Sequence, residues 1–61
     1  MSLSPKEKIV MDALVAGKSQ KEIAHDRGVS KQTVGIHAQS AMIKLGARTV
    51  VQAAVIWSRS D

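Results

Sequence analysis

The sequence predicts an all-α fold, a bundle of four helices, from three observations. A helix start signal, serine or threonine followed three residues later by glutamate or glutamine, occurs at Ser4, Ser19 and Thr49. A glycine, which commonly ends helices, follows the first three apolar segments, at Gly17, Gly28 and Gly46. No alternating run of β-branched residues is bounded by hairpin turn residues, so no strand is expected.

The first predicted helix begins after Ser4, with Pro5 in its first position, where the missing N–H of proline is harmless. Gly17 supplies its end. Apolar residues recur inside it at helical spacing and predict an inward face made of Ile9, Val10, Ala13 and Leu14.

The second predicted helix lies between Ser19 and Gly28, and a short turn joins it to the third. The turn contains a glycine for left-handed backbone, an apolar plug in Val29 and a new N-cap in Ser30. A glycine-containing turn of this length fits a helix-turn-helix unit, whose helices cross at a steep angle. An ordinary hairpin in a small bundle fits it equally well.

The third predicted helix is capped by Ser30 and runs to Leu45. At 3.6 residues per turn, its inward face consists of Val34, Ala38, Ala41 and Leu45. Its opposite face consists of Gln32, Ile36, Gln39 and Ile43, with Gly35 and Ser40 beside it. That face carries no charge, whereas an ordinary solvent-facing stripe would carry lysine and glutamate.

Uncharged amides and aliphatic methyl groups suit the floor of the DNA major groove. Glutamine can form a bidentate pair with adenine, and an aliphatic side chain can contact the methyl group of thymine. The cations at the helix ends, Lys31 and Lys44, would then meet phosphates. Burial of the same face against another protein is the competing interpretation.

The fourth predicted helix opens at Thr49, continues to about Trp57 and is apolar on nearly every side. A small bundle buries only part of one helix, so a stripe around Val51 and Val55 should stay exposed. Such a stripe usually marks a contact site, here favouring a two-fold homodimer; small side chains tolerated in water are the alternative. Trp57 is expected either in the core or in that interface.

The charge distribution favours a polyanionic partner. The net charge is +4, and the acidic residues stop at Asp26 and return only at Asp61. The cations between these two are Arg27, Lys31, Lys44, Arg48 and Arg59. A surface of one sign attracts nucleic acid, although charge alone fits a merely soluble basic surface equally well.

No catalytic, metal or membrane function is indicated for this chain, which is expected to form one domain over residues 1–61. It has no cysteine, and His25 has no carboxylate partner at metal-ligand spacing. No serine has a supporting His and Asp. No apolar run reaches the ~20 residues that span a bilayer, and no signal peptide is visible. A cytoplasmic domain without enzyme activity or cofactor is therefore expected.

Three segments occur in a recognisable order and spacing: Leu3-Ser4-Pro5-Lys6-Glu7, the run GKSQKEIA over residues 17–24, and Ser30-Lys31-Gln32-Thr33-Val34 followed by His37 and Lys44-Leu45-Gly46. Together they resemble the LuxR-type (GerE-type) helix-turn-helix family of bacterial transcriptional regulators. The resemblance implies a tetrahelical fold whose third helix enters the major groove and whose fourth helix serves dimerisation.

The resemblance also implies roles for individual residues. Phosphate contacts would come from Lys21, Ser30, Lys31, Thr33 and Lys44. Base edges would be read by Gly35, Ile36 and Gln39, to which the uncharged face adds Gln32. His37 matches a common family position, and a phosphate contact and a packed histidine are both consistent with it. Dimerisation would involve Val51, Val55 and Trp57.

Two positions depart from the family pattern. Relatives commonly carry lysine or another polar residue at the position of Gly35, and a basic residue at the position of Gln39. A glycine inside a helix costs ~1 kcal/mol relative to alanine. It either permits close approach of the backbone to DNA or removes a base contact, so the DNA sequence that is read stays open.

The expected function is sequence-specific binding of double-stranded DNA for transcriptional regulation, by a homodimer on an inverted repeat in the bacterial cytoplasm at the nucleoid. RNA polymerase is a further expected partner. The alternative is a helical interaction module that docks on another regulator or on RNA polymerase. A sigma-factor-like promoter reader fits the fourth helix poorly. The family further implies either the C-terminal fragment of a longer regulator or a free-standing one.

Overall fold

The computed structural model describes residues 3–59. They form four helices, α1 (Pro5–Val15), α2 (Gln20–Arg27), α3 (Lys31–Lys44) and α4 (Val50–Arg59), and no strand. The prediction of an all-α fold is confirmed. The domain predicted over residues 1–61 includes positions 1–2 and 60–61, which lie outside the described residues.

Reciprocal hydrogen bonds start the first two helices as the sequence predicts. The backbone amide of Ser4 donates to Glu7 Oε1 at 2.7 Å, and the amide of Glu7 donates to Ser4 Oγ at 3.3 Å. Ser19 and Glu22 form the same pair of bonds at 3.0 and 3.1 Å. Each box satisfies amides that the first turn of a helix leaves without partners.

The start of α4 differs in one detail from the prediction. The amide of Gln52 donates to Thr49 Oγ1 at 3.0 Å, as in a capping box. The side chain of Gln52, however, accepts from the amide of Arg48 at 2.7 Å, one residue before the cap. The helix also runs to Arg59, two residues beyond Trp57.

The turn between α2 and α3 depends on Gly28, which ends α2 in the left-handed conformation with φ +65°. There the amide of Val29 donates back to the carbonyl of Ala24 at 3.0 Å. Ser30 immediately caps α3, since its Oγ accepts from the amide of Thr33 at 3.1 Å. The chain thus reverses within three residues, and α2 packs against α3.

The core consists of two clusters, and α1 contributes to both because it packs against α3 and α4. The first cluster joins α1, α2 and α3 and contains Val10, Ile23, Ala24, Val34 and Ala38. The second joins α1, α3 and α4 and contains Leu3, Met11, Ala41 and Ala53. Leu14 packs against both clusters and connects them.

Two predicted core residues are wrong. Ile9 is 37% exposed and Val29, the expected plug of the turn, is 44% exposed. The buried side chains of α1 are instead Glu7, Val10 and Met11. The buried face of α1 is therefore rotated from the predicted one, towards Met11 and away from Ile9. The apolar pattern alone missed Glu7, because a charged residue is not expected on a buried face.

Candidate nucleic-acid interface

The uncharged face of α3 points away from the bundle. Ile36 is 60% exposed and Ile43 is 67% exposed, and Gln32 and Gln39 are exposed as well. The opposite face is buried through Val34, Ala38 and Ala41. The orientation that the 3.6-residue period predicted for α3 is therefore present in the structure.

This face forms one wall of an open groove between α2 and α3, called here the reading groove. Its lining residues are Gln20, Lys31, Gln32, Gly35, Ile36 and Gln39. All of the predicted base-reading residues thus lie together. Gln20 was not predicted. The signal that could have identified it is its position directly after the N-cap of α2, in the helix that packs on α3.

Two cations lie near the start of the two helices that form the reading groove. Lys21 and Lys31 are exposed, and neither forms an ion pair within residues 3–59. The hydroxyl groups of Ser30 and Thr33 are hydrogen-bonded to each other at 2.9 Å, and both belong to the first turn of α3. A helix N-terminus carries partial positive charge and suits an anion.

Lys44 is placed differently from the other predicted phosphate contacts. Its Nζ lies 2.8 Å from Glu7 Oε1, in an ion pair that ties the end of α3 to the start of α1. The side chain of Glu7 is only 5% exposed. The ammonium group therefore compensates a buried carboxylate, which competes with the predicted phosphate contact.

The pairing with Lys44 lowers the pKa of Glu7 from 4.5 to about 2. Smaller contributions in the same direction come from the hydroxyl of Ser40 and the backbone amide of Ser4. Hydrogen bonds and a nearby cation both favour the charged form of a carboxyl group. Glu7 is therefore ionised in the folded protein at any pH well above 2.

Every acidic residue of the described chain is occupied by an intramolecular contact. Asp26 pairs with Lys18 at 2.7 Å, Asp12 accepts from the indole of Trp57 at 2.7 Å, and Glu22 caps α2. Within residues 3–59, the cations that form no ion pair are Lys6, Lys8, Lys21, Arg27, Lys31, Arg48 and Arg59. Most of the cations in these residues are therefore not paired with a carboxylate.

His37 is half-buried at the edge of the inward face of α3, as its helical angle predicts. It lines a pocket of about 110 Å³ where α1, the turn before α3 and α3 itself meet. Lys6, Arg27 and Thr33 also line this pocket. The placement is compatible with both roles predicted for His37.

The exposed stripe of α4 is present as predicted. Val51 is 74% exposed and Val55, one turn later, is 44% exposed. Trp57 is half-buried, packs against the second core cluster and donates its indole N–H to Asp12. These contacts hold one side of Trp57 on the core, while its half-exposed position leaves the predicted role in an interface untested.

No helix in residues 3–59 is long and apolar enough to cross a membrane. Within the same residues, no histidine, aspartate and glutamate side chains come together in a group suited to a metal ion.

Comparison with known proteins gives a family match over most of the chain. The model of the family described as "Bacterial regulatory proteins, luxR family" matches residues 1–57. No solved structure matches the chain.

Several curated proteins are similar in sequence. The transcriptional regulatory proteins FixJ of Bradyrhizobium diazoefficiens and of Rhizobium meliloti are each 39% identical over 49 residues, which is 80% of this chain and 24% of FixJ. The spore germination protein GerE of Bacillus subtilis is 42% identical over 53 residues, 87% of this chain and 72% of GerE. The chain thus spans about a quarter of the length of the FixJ proteins.

Proposed function

The chain belongs to the LuxR family of bacterial regulatory proteins and is a helix-turn-helix DNA-binding domain, and from this premise we propose how it regulates transcription. It inserts α3 into the major groove of double-stranded DNA and binds an inverted repeat as a dimer. The observation that carries the proposal is the exposed, uncharged face of α3, with the unpaired cations Lys21 and Lys31 at the starts of α2 and α3.

The proposed base contacts come from the reading groove. Gln32 and Gln39 present amides that can pair with the edge of adenine, and Ile36 presents a branched apolar side chain to a thymine methyl group. Each good bidentate contact discriminates by roughly 1–3 kcal/mol. Gly35 has no side chain and leaves an opening in the middle of this face.

The proposed phosphate contacts flank these residues. Lys21 and Lys31 are unpaired cations at the starts of α2 and α3, and binding them to phosphates releases counterions from the DNA. Ser30 and Thr33 add hydroxyl groups at the same helix N-terminus. Lys44 contributes less to phosphate binding than the sequence suggested, because its ammonium group is already paired with the carboxylate of Glu7.

The proposed dimer forms through α4, whose exposed valines are Val51 and Val55. A stable interface buries ~800 Å² per partner, a large share of the 4221 Å² of this chain. Two valines cannot supply that area, so the dimer should be weak in solution and assemble on DNA. Two-fold symmetry would then place two α3 helices about one DNA turn apart, on the inverted repeat.

Fluorescence anisotropy with a random duplex tests this function. We expect binding at low salt and a steep loss of affinity as salt rises. Lys31→Ala should weaken binding to all sequences alike, whereas Gln39→Ala should change the preference between sites. Absence of binding to any duplex at low salt would exclude the proposal and favour an interaction module that docks its α3 face on another protein.

A further inference from the structure

Gly35 leaves an opening in the middle of the α3 face, and one side chain from another helix reaches it. A Cβ atom built on Gly35 would have a single neighbour within 4 Å outside α3's own backbone, which is Oε1 of Gln20 at 3.6 Å. Gln20 is the first residue of α2. Its amide thus stands over the position where α3 has no side chain.

The amide of Gln20 is available to a ligand. The residue is half-buried, and its side chain has no hydrogen-bond partner within the described residues 3–59. A glutamine amide carries two donor hydrogens and an acceptor oxygen, and in this open groove all of them can turn to a ligand. The hydroxyl of Ser19, the residue before it, is by contrast already bonded to the amide of Glu22.

The position of this amide also favours a base over a phosphate. Gln20 lines the reading groove together with Ile36 and Gln39 of the exposed α3 face. Lys21, by contrast, is exposed and does not line that groove. Adjacent residues of α2 therefore face different surroundings, and the amide side chain is the one directed at the groove floor.

Resting on the proposed DNA binding, we propose that Gln20 is a specificity-determining residue that reads an adenine through the space above Gly35. Its amide accepts from N6 of the adenine and donates to N7, the bidentate pattern that glutamine forms with this base. Gln39 reads a neighbouring base from α3. Recognition is thus shared between the two helices of the helix-turn-helix unit.

Gly35 thereby has a defined role, which is to keep the space open for the side chain of Gln20. Alanine at this position would place its Cβ 3.6 Å from Gln20 Oε1, an ordinary van der Waals contact, so the amide keeps its place. A long side chain at the same position would fill the space and displace the amide. Gly35→Ala and Gly35→Met therefore form a matched pair of variants.

The test is selection of bound duplexes from a random pool, followed by affinity measurements on single-base variants of the selected site. For the native chain and for Gly35→Ala we expect a preference for adenine at one position of each half-site. Gln20→Ala should reduce that preference by about tenfold, as for loss of one good bidentate contact. Gly35→Met should lose it too, and adding Gln20→Ala to Gly35→Met should change nothing further.

Lys21→Ala is the control, because it should weaken binding to every sequence and leave the preference intact. Circular dichroism confirms that each variant is folded. If Gln20→Ala weakens all sequences equally, its amide binds phosphate and the inference is wrong. If Gln20→Ala changes neither affinity nor preference, the inference is also wrong. Both results differ from a native chain that binds no duplex at all, which would overturn the proposed function itself.

Discussion

At the scale of single residues, Glu7 performs two tasks that its sequence position shows only in part. Its carboxylate caps α1 through the amide of Ser4 and also binds the ammonium of Lys44 at 2.8 Å. The first contact is local, and a capping box predicts it. The second joins residues 37 positions apart, and no local pattern contains it.

The lowered pKa of Glu7 predicts a defined acid sensitivity. Because its folded-state pKa is about 2 and its ordinary value is 4.5, the stability it contributes is complete above pH 4.5 and is lost as the pH falls towards 2. Glu7→Gln should be less stable than the native chain at pH 7 and should approach it in stability near pH 2. Thermal unfolding followed by circular dichroism across this range measures both curves.

Glu22 and Asp26 also have lowered pKa values, owing respectively to the backbone of Ser19 and to Lys18. These two carboxyl groups make the native chain and Glu7→Gln acid-sensitive to the same extent. The difference in stability between the two proteins therefore reports the contribution of Glu7 alone. A stability difference that stays constant from pH 7 to pH 2 would contradict the proposed linkage.

The role of Lys44 leads to a second residue-scale prediction. Lys44→Met leaves the carboxylate of Glu7 buried without its partner, so the melting temperature should fall. At a temperature where the variant is folded, the slope of log DNA affinity against log salt should change by much less than 1. Lys31→Met is the matched control, in which the slope of log affinity against log salt should shrink by about 1. An equal shrinkage in both variants would restore Lys44 as a phosphate contact.

At the scale of elements, Gly28 and Gly35 have opposite effects on the stability of the helices that contain or precede them. Gly28 ends α2 at φ +65°, where an L side chain is strained whatever space surrounds it. Gly35 lies inside α3 with helical backbone, and only Gln20 comes near its missing Cβ. The first glycine is needed to turn the chain, and the second lowers the stability of the helix that contains it.

Alanine substitution at the two positions should therefore have opposite effects on stability. Gly35→Ala should raise the free energy of unfolding by about 1 kcal/mol, the difference in helix propensity between the two residues. Gly28→Ala should lower it by a similar or larger amount, because alanine disfavours the left-handed conformation. Chemical denaturation measures both, and destabilisation by Gly35→Ala would show that the backbone of α3 is strained at this position.

At the scale of the whole molecule, the charges are divided between internal and external use. The acidic side chains of residues 3–59 serve caps, the indole of Trp57 and two ion pairs. Most of the cations have no such partner and remain available to a polyanion. Within residues 3–59, only Glu7 and Asp26 are paired with cations, and most of the cations contribute unpaired positive charge to the surface that a polyanion would meet.

Assembly on DNA is the prediction that belongs to this scale. The double variant Val51→Ser/Val55→Ser removes the exposed apolar stripe of α4. Because burying one valine contributes roughly 1.5–3 kcal/mol, the variant should reduce cooperative binding to an inverted repeat by at least about tenfold. Binding to a single half-site should be unaffected. Val15→Ser, at a valine of α1 about as exposed as Val55, is the control. Sedimentation that shows only monomer, free and on the inverted repeat, would contradict the dimer.

The sequence by itself determined the four helices, because their starts and ends depend on contacts within a few residues, such as Ser4 with Glu7 or the left-handed backbone at Gly28. It also determined which side of α3 faces outward, since the helical period fixes the relative directions of Val34 and Ile36.

Only the tertiary structure decided what approaches these elements from elsewhere in the chain. The pairing of Lys44 with Glu7, the contact of Trp57 with Asp12 and the place of Gln20 beside Gly35 join side chains from different helices. Each of these depends on how the helices cross, which is set by the summed packing of the two core clusters and not by any local pattern.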